Sequence, residues 1–156
     1  MTDIRGALRK PGGHRSLARD AIALETVMRR SITTTSIRPP FAHYAHGVVL
    51  SGVREVLAVS GQLGLRPDDT LPDGPEAQAE VCFGNIDAIL AEAGMGREDV
   101  LRISAFVTAR EHMQGYMAAR DAWVAGLSSP PASTLMIVSG FTRPEFLVEI
   151  EVLAGR

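Results

Sequence analysis

Pro130-Pro131-Ala132-Ser133-Thr134-Leu135-Met136-Ile137-Val138, followed after a short loop by Phe146-Leu147-Val148-Glu149-Ile150-Glu151-Val152-Leu153, is the stretch on which the fold turns. It reads as two strands. Alternation in the second sends Phe146, Val148, Ile150 and Val152 to one face and Leu147, Glu149, Glu151 and Leu153 to the other. A solvated face rarely carries those leucines, and a core face rarely carries those acids. The mixture predicts a half-buried pocket around the carboxylates.

Working outward, Val100 to Thr108 alternates as another strand. Glu76 to Ala93 is a helix with Cys82, Ile86, Ile89, Leu90 and Ala93 on one stripe, ended by Gly94 and Gly96. Glu111 to Ala125 is a second helix, with Met113, Tyr116, Met117, Trp123 and Val124 inward. Upstream, Tyr44 to Leu50 and Glu55 to Ser60 read as a hairpin turning at Ser51-Gly52. Leu17, Ala21, Ile22, Leu24, Val27 and Met28 have helical periodicity, so residues 17–30 are expected to form a short amphipathic helix. Residues 1–37 are set apart as an extension, and residues 38–156 as one α/β (α+β) domain of order ββαβαββ. An alternative for the extension is that translation begins at Met28.

Helices joining parallel strands cross with one hand, so both should cover the same face of a mixed sheet. The other face should then be polar. Glu55 to Ser60 and Leu135 to Val138 are instead apolar on both sides. Sister copies of the chain are the expected cover.

Composition narrows the function. The chain has 156 residues, 46% hydrophobic and 22% charged, with net charge −2, which offers no general attraction for nucleic acid. Residues 1–37 are locally basic. The single cysteine, Cys82, forbids an internal disulfide and fits a reducing, cytoplasmic setting. No apolar run approaches the roughly 18 residues of a membrane helix. The only lysine is Lys10, so the domain has none for Schiff-base chemistry. His43 and His46 fall on opposite sides of a strand and do not share a metal. No phosphate loop, nucleophile triad or zinc spacing occurs, and no cofactor is expected.

Pro40-Phe41, Val59-Ser60-Gly61-Gln62, Asn85 on the first helix, Asp99-Val100, Pro130-Pro131-Ala132 and Val148-Glu149-Ile150-Glu151 occur in an order that resembles the reactive-intermediate deaminase (RidA, YjgF- and UK114-like) superfamily. The resemblance runs from about Pro40 to Ala154, and Met28 falls where members usually begin. It implies a chorismate-mutase-like fold, a homotrimer with clefts between subunits, and hydrolysis of enamines and imines without a cofactor. Some relatives have been described as ribonucleases or translation inhibitors, but the domain shows no basic groove or stacking platform to match.

The resemblance also implies a site. Glu149 matches the acid that positions the attacking water. Ser60 and Gly61 match the pocket serine and its neighbour. Phe41 stands for a pocket tyrosine and Met117 for an asparagine. Where deaminating members carry an arginine that grips the substrate carboxylate, this chain has Ser133. Ser133 and Thr134 could line a pocket for a more neutral ligand, or Arg143 or Arg120 could hold the carboxylate instead. Two readings follow: an imine or enamine hydrolase using Glu149, or a non-catalytic protein that binds small molecules or partners on the same scaffold.

Overall fold

A computed structural model describes residues 26–156. Strands β1 (Met28–Ile32), β2 (Gly47–Ser51) and β3 (Val56–Leu63) precede helix α1 (Pro75–Glu92). Strand β4 (Val100–Val107), helix α2 (Met113–Trp123), and strands β5 (Ala132–Ile137) and β6 (Val148–Gly155) follow. Proline at the first turn starts α1, where its missing N–H costs nothing, and Gly94 at φ 64° ends it.

The main sheet has the order β3-β6-β4-β5. Strand β6 is antiparallel to both β3 and β4, and β4 is parallel to β5. The connections β3-α1-β4 and β4-α2-β5 therefore join parallel strands, and both helices lie on one face, as the handedness of such crossovers requires. Between helices and sheet, Cys82, Phe83, Ile86 and Leu90 of α1 meet Tyr116, Ala119 and Trp123 of α2 and Ile103, Val107, Val148 and Ile150 of the strands in one core. Phe83 stacks on the Trp123 ring at 4.7 Å between centroids. The mixed α/β fold with two helices on one face is the one the sequence predicts.

Among the described residues no helix lies over the opposite face. Glu149, Glu151 and Leu153 of β6 lie there, beside Arg102, Ser104 and Phe106 of β4 and Thr134 and Met136 of β5, by register. Val56 is 61% exposed, Met136 45% and Leu153 40%, so this face is partly apolar and uncovered by the other described residues.

Two expectations are corrected. Met28–Ile32 is a strand, not the end of a helix over 17–30; residues 17–25 lie outside the described residues. Long-range hydrogen bonds hold it extended. Arg29 donates to the carbonyls of Ser129 (2.6 Å) and Val100 (2.7 Å), and Ser31 donates to Pro130 (2.6 Å). The hairpin of β2 with β3 does not form either. Strand β2 pairs with β1, from Met28↔Ser51 to Ile32↔Gly47. The amides of Arg54 and Glu55 both donate to the Arg156 carbonyl, which turns the chain out of one pair and into the pairing of β3 with β6. Ala45 bridges Ala132, attaching this ribbon to the β5 edge. Among the described residues no helix is long and apolar enough to cross a membrane.

Cys82 is fully buried, and burial pushes its thiol from 9.0 up to about 12. Native protein is expected to react with a thiol reagent only after unfolding. The unfolded thiol ionises near its ordinary value while the folded thiol keeps its proton. The folded state therefore loses stability as pH rises from about 9 toward 12, and Cys82→Ala removes that part of the slope. Urea titrations of both proteins between pH 8 and 10.5 test this; equal slopes refute it.

Candidate active site

The residues singled out by sequence fall into two groups on opposite faces of the sheet. The first is built around Glu149. Val148 and Ile150, its neighbours in β6, are fully buried against the helices, so alternation sends Glu149 to the uncovered face. There it is half-buried, whereas Glu151 is exposed. By register, Glu149 sits between Phe106 of β4 and Leu63 of β3.

A bulge in β3 makes room for the carboxylate. Val59 pairs with Val152 and Gln62 with Ile150, so Ser60 and Gly61 together face the single residue Glu151. A Cβ built on Gly61 would lie 1.8 Å from Glu149 Oε1. The carboxylate thus occupies the space where any other residue would have a side chain, and glycine is required by close approach. Ser60, beside it, is exposed.

Upstream, buried Gln78 of α1 pins the entry to β6. Its amide nitrogen donates to the carbonyls of Pro72 (3.3 Å) and Glu145 (3.0 Å), and its oxygen accepts from the Leu147 amide at 2.8 Å.

The second group lies at the β5 edge, on the helix side. Ser133 pairs in register with Ile103, a fully buried core residue, and so points away from the face of Glu149. A cleft of about 520 Å³ opens there between Phe41, Ala42, Tyr44, Met113, Met117, Arg120, Ser133 and Leu135. Phe41 is 82% exposed at its rim, with the Arg38 guanidinium 3.7 Å above its ring. Tyr44 was read only as a strand residue. Its hydroxyl accepts the Phe41 amide at 3.2 Å, and the three-residue spacing from Phe41 was the signal that it shares this cleft.

Arg120 is only 5% exposed. Its Nε and Nη2 both donate to one oxygen of Asp121, at 2.9 and 2.7 Å. Its guanidinium lies 5.9 Å from the Tyr44 ring and 5.8 Å from the Tyr116 ring, within cation–π range. Two hydroxyls nearby, Tyr116 OH and Ser133 Oγ, are buried within reach of each other and of the Arg120 guanidinium. Burial raises the Tyr116 hydroxyl above its ordinary value, with Ser133 and Arg120 pulling the other way.

Two sequence candidates stand apart from the cleft. Thr134 is exposed on the Glu149 face, in register with Ser104. Arg143 is half-exposed, with Nη2 2.6 Å from Glu145 Oε1 and its guanidinium over the Phe146 ring. Both ring nitrogens of His46 are used, one accepting from the Thr34 amide and one donating to the Arg38 carbonyl. Among the described residues no three acids, histidines or cysteines are grouped to hold a metal.

Comparison with known proteins places this geometry in a context. A family model described as endoribonuclease L-PSP matches residues 35–155. A RutC family protein of Aquifex aeolicus is 35% identical over 80 residues, covering 51% of this chain and 62% of that one. The RutC family protein UK114 of Drosophila melanogaster is 33% identical over 86 residues, covering 54% and 60%. The matched segment therefore spans less than two thirds of either relative. In three dimensions the chain is similar to YyfB of Yersinia pestis, a conserved Rid family protein of unknown function. That pair has a TM-score of 0.73 and 27% identity, covering 82% of this chain and 98% of that one.

The seat of Glu149 can be tested directly. Gly61→Ala is expected to fold, because the obstacle is the tip of a flexible side chain, but to turn the carboxylate off the bulge. A crystal structure of the variant with Glu149 unmoved would contradict this. Gln78→Leu would leave three part-buried backbone groups without their partner and is expected to lower unfolding free energy by roughly 1–3 kcal/mol in urea titration.

Proposed function

The chain belongs to the endoribonuclease L-PSP family, whose RutC and Rid members it matches in sequence and fold, and on that premise we propose that it hydrolyses a small enamine or imine to a carbonyl compound and ammonia. The observation that carries this reading is the Glu149 carboxylate, half-buried and seated on the Gly61 bulge.

The chemistry is simple in outline. A water held by Glu149 attacks the carbon of the C=N bond. The carboxylate takes the proton that water loses and returns it to nitrogen. The carboxylate then carries the proton of the new hydroxyl to the amine, the C–N bond breaks as the C=O bond forms, ammonia leaves, and the carbonyl oxygen is the one water brought. Partial withdrawal from solvent strengthens the hold of a carboxylate on such a water, and the neighbouring Phe106 ring supports this.

Glu149 and the β5-edge cleft lie on opposite sides of one sheet, so a single chain does not join them. A homotrimer would. With the apolar open face of each copy turned inward, Glu149, Ser60 and Gly61 of one protomer meet Phe41, Met117 and Ser133 of the next. The apolar side chains exposed on that face favour such an assembly. The cleft lining, in which Arg120 is the one basic side chain, suits a small molecule better than a nucleic-acid strand, which needs a continuous basic track. A cytoplasmic setting, where amino-acid metabolism generates imines, completes the proposal.

The test is a coupled assay in which a lyase releases 2-aminoacrylate or a larger imine, and ammonia is followed. Glu149→Gln is expected to lower the rate on the order of 10²-fold or more with the fold intact. No acceleration by the wild type refutes the hydrolase and favours a binding protein; acceleration unchanged in Glu149→Gln refutes the site. Solution mass should be three times 16.7 kDa, and a stable monomer would contradict the shared cleft.

A further inference from the structure

We infer that His46 is a positioning residue that latches the rim of the β5-edge cleft: its neutral ring holds residues 33–45 in the shape that presents Phe41 and Tyr44, and protonation of the ring releases them. The consequence for catalysis rests on the proposed hydrolase; the latch itself does not.

The connection between β1 and β2 has little else to fix it. Among the described residues, one backbone–backbone hydrogen bond lies within residues 33–44, from the Tyr44 amide to the Ala42 carbonyl at 2.9 Å. Pro39 and Pro40 bring no amide donors. Residues 35–39 are exposed, so burial does not hold them in place. His46, half-buried just before β2, spans this stretch. Its Nδ1 accepts from the Thr34 amide at 3.2 Å, and its Nε2 lies 3.0 Å from the Arg38 carbonyl. Between those two points the Ser36 amide donates to Thr34 Oγ1 at 3.2 Å.

The segment held in this way is the cleft rim. The Arg38 guanidinium lies over the Phe41 ring, so fixing the Arg38 backbone also places the group that braces Phe41. The Phe41 amide donates to the Tyr44 hydroxyl, and Phe41, Ala42 and Tyr44 all line the cleft. Farther along, the Ala45 amide donates to the Pro131 carbonyl at 2.9 Å. The rim is therefore tied to the sheet at Ala45, and at Thr34 and Arg38 to one imidazole.

Both bonds require the neutral ring with its proton on Nε2. A ring nitrogen that accepts from an amide carries no proton, so the other nitrogen must be the donor to the carbonyl. Proton binding puts a hydrogen on Nδ1, facing the Thr34 N–H, and the first bond is lost. The charged and titratable side chains on the surrounding elements are Arg29 and Arg30 of β1 and Arg38, His43 and Tyr44 of the connection itself; residues 127–132 carry none. Among the described residues no carboxylate pairs with His46 to take up the new N–H. Histidine ionises in the mildly acidic range, so the rim is held above that range and loosened below it.

Nuclear magnetic resonance of the isotope-labelled intact chain tests the latch without substrate. At about pH 8, long-range proton–nitrogen correlation is expected to show His46 as the Nε2–H tautomer. On acidification to about pH 5, the Thr34 and Phe41 amides should shift with the midpoint at which His46 titrates, and exchange protection of the Thr34 amide should fall roughly three- to tenfold. His46→Gln, whose amide can accept and donate at the same two places, should keep the alkaline spectrum of the rim and lose the step. His43→Gln should keep the step. An Nδ1–H tautomer at the alkaline end, no step in wild type, or a step retained in His46→Gln overturns the proposal. In the coupled imine assay, folded His46→Ala should raise KM by roughly threefold or more at unchanged kcat; an unchanged KM overturns the link to the cleft. The latch and the hydrolase fail separately. A His46-dependent step without turnover of any imine sinks the hydrolase and leaves the latch, and turnover without the step does the reverse.

Discussion

A mixed sheet whose parallel strands are joined by crossovers of one hand can be sealed by its own helices on one side only. That constraint governs this protein. Helices α1 and α2 close the face carrying Val148 and Ile150, and no described residue forms a helix over the face carrying Glu149. Strand β6 lies inside the sheet, paired on both edges, so its alternation is rigidly transmitted. Every residue moved to the open side must either meet water or meet another molecule. The apolar side chains there favour the second.

The position of Glu149 follows from backbone detail and not from side-chain attraction. The extra residue in β3 at Ser60-Gly61 opens a space, and the absence of a Cβ at Gly61 lets the carboxylate fill it. Gln78 sets the register from the other end by tying the chain just before β6 to α1. In a member of the endoribonuclease L-PSP family this is an economical way to fix one acid. The cost is a glycine inside a strand, where it would otherwise weaken the ladder.

The β5-edge cleft combines one buried charge with an apolar lining. Arg120 is buried beside the Tyr116 and Ser133 hydroxyls, at a cleft otherwise lined mostly by methionine, leucine and aromatic rings. Interiors seldom tolerate such groups without a partner. The arginine candidates from sequence divide accordingly. Arg143 is occupied by Glu145 at the surface, and Arg120 is at the cleft.

Patterns of period two and 3.6 are local, and they were legible. The two helices, strands β4 to β6, the faces of β6 and the buried stripe through Cys82 could all be read from spacing. Short segments fared worse. Met28–Ile32 shows helical spacing over its upstream neighbours but is held as a strand by carbonyls of residues about 70 to 100 positions away. The partner of β2 was equally hidden, because two adjacent strands look like a hairpin unless the far end of the chain competes for one of them. Ser133 and Thr134 illustrate the same limit at the site. Alternation states that they point oppositely, but only the pairing of Ser133 with Ile103 tells which of them joins Phe41 and Met117. By itself, then, the sequence determined which residues share a face, since that depends on bond geometry along a few ångströms of chain. Tertiary structure decided what each face meets, since pairing, bulges and burial depend on contacts between residues far apart in the chain.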